Sequence, residues 1–205
     1  MRKSFGEMNT MRNLGLLTLI VSVMVVIDAL PAPLMLLSVV LFPEATAAVV
    51  GPYSGEIDAS TVVFKFMTMI VFARWIYLAG KNLLDAGFTD LEFTPGWRIW
   101  WFAVPIACLF KPFQGMRELW NASHCNEAYD QGNGLVATWW GLWLLSRIVG
   151  SLAAAASSGP EGARMALLVQ GVVDIALVAV VITMIRRIAA AQNQMSGPAL
   201  EEVFA

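Results

Sequence analysis

Apolar residues run along this chain in long blocks. They show neither the alternation of a half-buried strand nor the single stripe of a soluble helix. The first block extends from Leu14 to Phe42 and is broken by Asp28, Pro31 and Pro33. It predicts a membrane-spanning helix that its prolines kink or end early. A basic start followed by apolar Leu14–Ile27 also fits a cleaved leader. Leu34–Phe42 continues the apolar run without pause, however, and Asp28 is awkward beside a cleavage site, so the expectation is a retained span. Pro43–Asp58, with Glu44, Glu56 and Asp58, predicts a loop. Further spans are predicted over residues 59–80, 136–156 and 165–185, the last closed by Arg186-Arg187.

The block Trp97–Phe110 differs. It is short for a span, contains Pro105, and carries a single charge, Arg98. Apolar stretches of about 10–14 residues are more often re-entrant, interfacial or buried than spanning. Past Lys111-Pro112 the pattern becomes amphipathic. Phe113, Met116 and Trp120 share one helical face, Lys111, Gln114, Glu118 and Asn121 the other, and Arg117 lies at the border. Residues 97–122 therefore predict a re-entrant or interfacial element lying at the bilayer surface or against the bundle.

Composition agrees. Of 205 residues, 58% are hydrophobic and 14% charged, against roughly 25% charged in a soluble domain. The expected fold class is an all-α polytopic membrane protein with four transmembrane helices plus the 97–122 element, five spans being the alternative. The expected organisation is a cytoplasmic segment 1–13, a single transmembrane domain 14–187 and a tail 188–205. The positive-inside rule favours four spans with both termini cytoplasmic. That topology puts Arg2, Lys3, Arg12, Arg74, Lys81, Arg98, Lys111, Arg117, Arg186 and Arg187 at one end, opposed by Lys65, Arg147 and Arg164. It also puts all eight tryptophans near one interface, where indoles favour the headgroup level. Basic runs are no longer than pairs such as Arg186-Arg187, which removes an electrostatic basis for nucleic-acid binding.

Ionisable residues inside spans need named partners. Asp28 and Lys65 lie at matching depths of about 21 Å from one surface, and Arg147 and Asp174 at about 16 Å. Each hairpin is thus expected to hold an ion pair, Asp28–Lys65 and Arg147–Asp174. A proton or ion path is the sharper alternative.

Catalytic signatures do not stand out, and no cofactor or metal is implied. His124-Cys125 with Glu127 and Asp130 has adjacent ligand types but no second His or Cys pair, and reads as a solvated loop. Cys108 and Cys125 read as unlinked thiols.

The middle of the chain resembles a known family. Trp75-Ile-Tyr-Leu-Ala-Gly-Lys-Asn82-Leu83, Thr94-Pro-Gly-Trp97, Trp100-Trp-Phe102, Pro105 and Lys111-Pro-Phe-Gln-Gly-Met-Arg-Glu-Leu-Trp120 carry the resemblance. Together they resemble the bacterial membrane family known as domain of unknown function 4328. The resemblance implies a multi-span inner-membrane protein and supplies no reaction. The residues themselves outline a polar, tryptophan-rimmed candidate site of Asn82, Lys111, Gln114, Arg117, Glu118 and Trp120. Its possible uses are an anionic lipid headgroup, a membrane-protein partner or second copy, a small solute, or bracing of the fold. The expected function is assembly with, or regulation of, another membrane component. A small transporter or channel and a lipid-modifying enzyme are the alternatives.

Overall fold

The computed structural model describes residues 11–125, 134–156 and 159–195. It is all-α: α1 Gly15–Ala29, α2 Pro31–Leu41, α3 Pro43–Val49, α4 Ser54–Asp85, α5 Trp97–Trp100, α6 Lys111–Ser123, α7 Gly134–Ala156 and α8 Pro160–Met195. Among the described residues, four helical stretches are long and apolar enough to cross a membrane: Gly15–Leu41, Gly51–Asp85, Gly134–Leu152 and Glu161–Met195. The protein is an all-α polytopic membrane protein.

The first span is α1 and α2 in succession. Pro31 and Pro33 have no N–H to continue the α1 ladder, and a bend at Leu30 separates the two helices. The Pro43–Asp58 loop is instead mostly helical. Pro43 opens α3, a single 3-10 turn spans Gly51–Tyr53, and α4 begins at Ser54. Proline is well suited to a first helical turn, where its missing N–H costs nothing.

Residues 97–122 form no membrane-length helix. α5 is one turn, the segment after it is irregular apart from a 3-10 turn at Ala107–Leu109, and α6 has 13 residues. Among the described residues this leaves four candidate spans rather than five. α8 also differs from its expected limit, since it continues through Arg186-Arg187 to Met195. Met184, Ile185, Ile188, Ala189 and Gln192 form a buried stripe, while Arg186 and Arg187 stand exposed beside it. A charged pair on the outer face does not end a helix whose inner face is still packed.

The chain divides into two compact units. The first comprises Met1–Ile20, Phe72–Ala137 and Thr183–Ala205. Its core holds Leu14, Trp75, Ile76, Leu83, Phe93, Met116, Leu119, Met184, Ile185 and Ile188. Trp75 is fully buried and its indole N–H donates to Thr18 Oγ1 at 2.9 Å. The start of α1, the end of α4 and the end of α8 meet here through Asn82. Its amide accepts from Arg12 N at 2.9 Å, donates to Arg12 O at 2.8 Å, and donates to Gln192 Oε1 at 3.1 Å. Gln192 Nε2 in turn donates to Ala79 O and Ser123 Oγ, both at 3.0 Å. Arg12 closes the edge of this cluster with Asp85 at 2.9 Å.

The second unit, Val21–Val71 and Thr138–Ile182, has a thinner core that includes Val21, Trp139, Trp140 and Val173. Leu34, Leu37, Val63, Phe66, Ile70, Ile148, Leu152, Val172 and Ile175 are exposed on its helices, as lipid contact requires. The tryptophans divide between core and surface. Trp75, Trp120, Trp139 and Trp140 are buried, while Trp97 and Trp100 are exposed.

α4 ends in a Schellman arrangement, with Phe88 N–H donating to Leu83 O and Gly87 N–H to Leu84 O, both at 3.1 Å. Gly87 has φ +92°, a conformation that costs a residue with a Cβ about 1–2 kcal/mol. Gly87→Ala should therefore lower thermal stability in detergent by about that amount. An unfolding melt that leaves the midpoint unchanged would mean the turn tolerates a Cβ.

Candidate functional site

The site is built around Arg98, the lone charge of the apolar run Trp97–Phe110 and not among the residues that the sequence groups into a candidate site. Arg98, on α5, has a side chain only 1% exposed. Its guanidinium lies against α4 at Gly80, where an added Cβ would meet Nη1 at 2.6 Å. Its aliphatic stem lies against α6 at Gly115, where an added Cβ would meet Cγ at 3.3 Å. Two glycines on two helices thus make the slot for one arginine.

Glu118, on α6, receives it. Arg98 Nη2 donates to Glu118 Oε2 at 2.5 Å. The same oxygen accepts Phe93 N–H at 3.2 Å, and Oε1 accepts Glu92 N–H. One carboxylate therefore fixes the loop before α5, α5 itself and α6 together. Burial lowers the pKa of Arg98, and the hydrogen bond and charge of Glu118 act against that shift. Arg98 Nε and Nη1 have no hydrogen-bond partner among the described residues, so Glu118 carries the compensation for this buried cation.

Lys111 sits at the edge. Its Nζ is 3.2 Å from Glu92 Oε1 and lies over the rings of Phe93 and Trp101, at 5.2 and 5.9 Å. Beyond it the segment between α5 and α6 is exposed and apolar. Trp100 is 65% and Ile106 77% exposed, with Trp97, Leu109 and Phe110 also exposed. Ile106 has φ +64°, a strained value for a β-branched residue. An open groove of about 600 Å³ is lined by Thr94, Gly96, Trp97, Trp100 and Val104.

The structure divides the residues expected to form one site. Glu118 and Lys111 belong to the cluster just described. Arg117 lies over the Phe113 ring at 5.4 Å, and the Trp120 ring stacks on His124 at 4.3 Å. Gln114 is half-buried on α6. Asn82 belongs to the separate amide cluster with Gln192. The amphipathic reading of α6 also shifts, because Glu118 and Asn121 are buried alongside Met116 and Trp120. Glu118 is drawn inward by Arg98, which brings its own charge into the core.

Of the intramembrane pairs, Lys65 Nζ lies 3.8 Å from Asp28 Oδ2. Arg147 and Asp174 do not pair. Asp174 Oδ1 accepts from Ser146 Oγ at 2.9 Å and Gln170 Nε2 at 2.8 Å, and Arg147 is exposed. Neighbouring residues on a helix point about 100° apart, so depth matching located the level but not the face. Cys108 and Cys125 are free thiols, and Glu127 and Asp130, read from the sequence with His124 as a solvated loop, lie outside the described residues.

The family model named for the domain of unknown function 4328, DUF4328, matches residues 40–190, and the chain belongs to this family. No curated protein and no solved structure matches the chain.

Gly80→Ala should cost about 1–3 kcal/mol by overpacking, and most of that cost should vanish when Arg98 is already Ala. A double-mutant cycle of thermal midpoints reads the coupling; additive costs would place the strain elsewhere. In the second hairpin, Ser146→Ala should cost about 0.5–1.5 kcal/mol, whereas Arg147→Leu should change stability by less than about 0.5 kcal/mol. The reverse order would restore the Arg147–Asp174 pair.

Proposed function

For this member of the family we propose a non-enzymatic role: a multi-pass bacterial inner-membrane protein that assembles with, or regulates, another membrane protein. The observation that carries the reading is the exposed aromatic segment around Trp97, Trp100 and Ile106, held on a buried Arg98–Glu118 support. Exposed aromatics lining a groove are favourable material for a docking surface. The charged residues of that support are meanwhile engaged internally, Glu118 with Arg98 and Lys111 with Glu92. That favours bracing of a platform over handling of a solute.

We further propose that both termini face the cytoplasm. The bonds joining Arg12, Asn82 and Gln192 support this, since they gather the start of the first span and the ends of the second and fourth. Basic residues on these ends then follow the positive-inside rule.

Orientation is read by single cysteines at Thr89, Gly51 and Gln194 in a background lacking Cys108 and Cys125. An impermeant thiol reagent should label position 51 from outside and leave 89 and 194 protected. Labelling at 89 and 194 with protection at 51 would invert the topology. For the role itself, native purification with crosslinking should recover one membrane protein in fixed ratio, and Trp100→Ala should reduce that recovery about tenfold, as for a hot-spot aromatic. Isolation of the chain alone, with solute flux in proteoliposomes that depends on Asp28 or Lys65, would replace the assembly reading by transport.

A further inference from the structure

A second groove lies in the first compact unit, away from the aromatic segment. It has a volume of about 270 Å³ and is lined by Gly15, Thr18 and Leu19 of α1 and by Arg186, Ala189, Ala190 and Asn193 of α8. We propose that this groove binds the headgroup phosphate of one anionic phospholipid, with the upper acyl chain following α1.

The lining combines small and apolar residues of both helices with the polar Thr18 and Asn193 and one cation, Arg186. Gly15, Ala189 and Ala190 leave room because they carry little or no side chain. Arg186 stands exposed at the rim and forms no ion pair among the described residues. No carboxylate lines the groove. A guanidinium recognises phosphate through paired N–H donors, with both charge and geometry matched. Gly15 opens α1, so the positive end of that helix dipole adds to the same field. Leu16, Leu19 and Ile20 are exposed on the following turns, which gives an acyl chain an apolar surface continuous with the groove. A phospholipid is the ligand that uses both halves, whereas free phosphate would use only the rim.

The arrangement also accounts for the position of Arg186 along α8. It lies on the outer face next to the buried stripe of Ile185, Ile188 and Ala189, where it cannot serve the core and is free to meet a headgroup. Arg187 is exposed too but does not line the groove, so it is the internal control for general surface charge.

The test is native mass spectrometry of the full chain released from nanodiscs containing equal phosphatidylglycerol and phosphatidylcholine. Wild-type protein should retain one phosphatidylglycerol in preference to phosphatidylcholine. Arg186→Gln should reduce that retention about tenfold, the loss of a charge-assisted contact, and Ala190→Leu should reduce it by filling the groove. Arg187→Gln should retain lipid as the wild type does. Inorganic phosphate at millimolar concentration should not displace the lipid. Equal losses in Arg186→Gln and Arg187→Gln would show a nonspecific surface field and overturn the site. So would full displacement by phosphate, or an Ala190→Leu variant that changes oligomeric state while lipid retention stays unchanged.

Discussion

A carboxylate shared among three partners holds the segment around α5 and α6 together. Glu118 accepts from Arg98, Phe93 and Glu92, joining a loop, a single helical turn and α6. Neither member of the ion pair is stable there alone. A buried guanidinium without its counter-charge is strongly disfavoured, and removing one partner of such a pair typically costs about 3–5 kcal/mol. Two glycines make the pairing possible, since any side chain at Gly80 would collide with the guanidinium. The aromatic segment that follows has little regular structure of its own, so its placement depends on this fastening.

A second polar cluster does different work. Asn82 treats Arg12 as a strand would, taking its N–H and giving to its C=O, and then passes a bond to Gln192. The chain of amides ends on Ala79 O and Ser123 Oγ. All these groups are satisfied, which is the condition under which buried polar networks specify an arrangement rather than weaken it. Helices in a membrane gain no hydrophobic drive toward one another, and such bonds supply direction that apolar contacts lack. The second unit relies on fewer of them, Ser146, Gln170 and Asp174 forming its main described cluster.

Much of the fold was legible because its signals are long or local. Four apolar blocks gave four spans, and Pro31 and Pro33 gave the break in the first. The depth match of Asp28 and Lys65 found two residues that do lie together. The misses share a cause, in that hydropathy records depth and not direction. Ser146, one residue from Arg147, faces Asp174, and Arg186-Arg187 looked like the end of a helix because their neighbours' buried face was not visible. Arg98 carried a usable signal as the lone charge between Trp97 and Phe110. Its glycine slot, assembled from positions 80 and 115, required the tertiary structure. The four-span topology sets the level of the tryptophans but not which of them face inward, and Trp75 is core, with a buried bond to Thr18.

The central claim is that Glu118 fastens the aromatic segment while the Asn82 cluster holds the helices independently. Hydrogen exchange on Glu118→Gln tests it most directly. The amides of Glu92 and Phe93, and those from Trp97 to Phe110, should exchange faster, because their acceptor charge is lost and Arg98 is left uncompensated. The amides around Leu83 and Gln192 should keep wild-type protection. Uniform loss of protection across both clusters, or unchanged exchange at Glu92 and Phe93, would contradict the account.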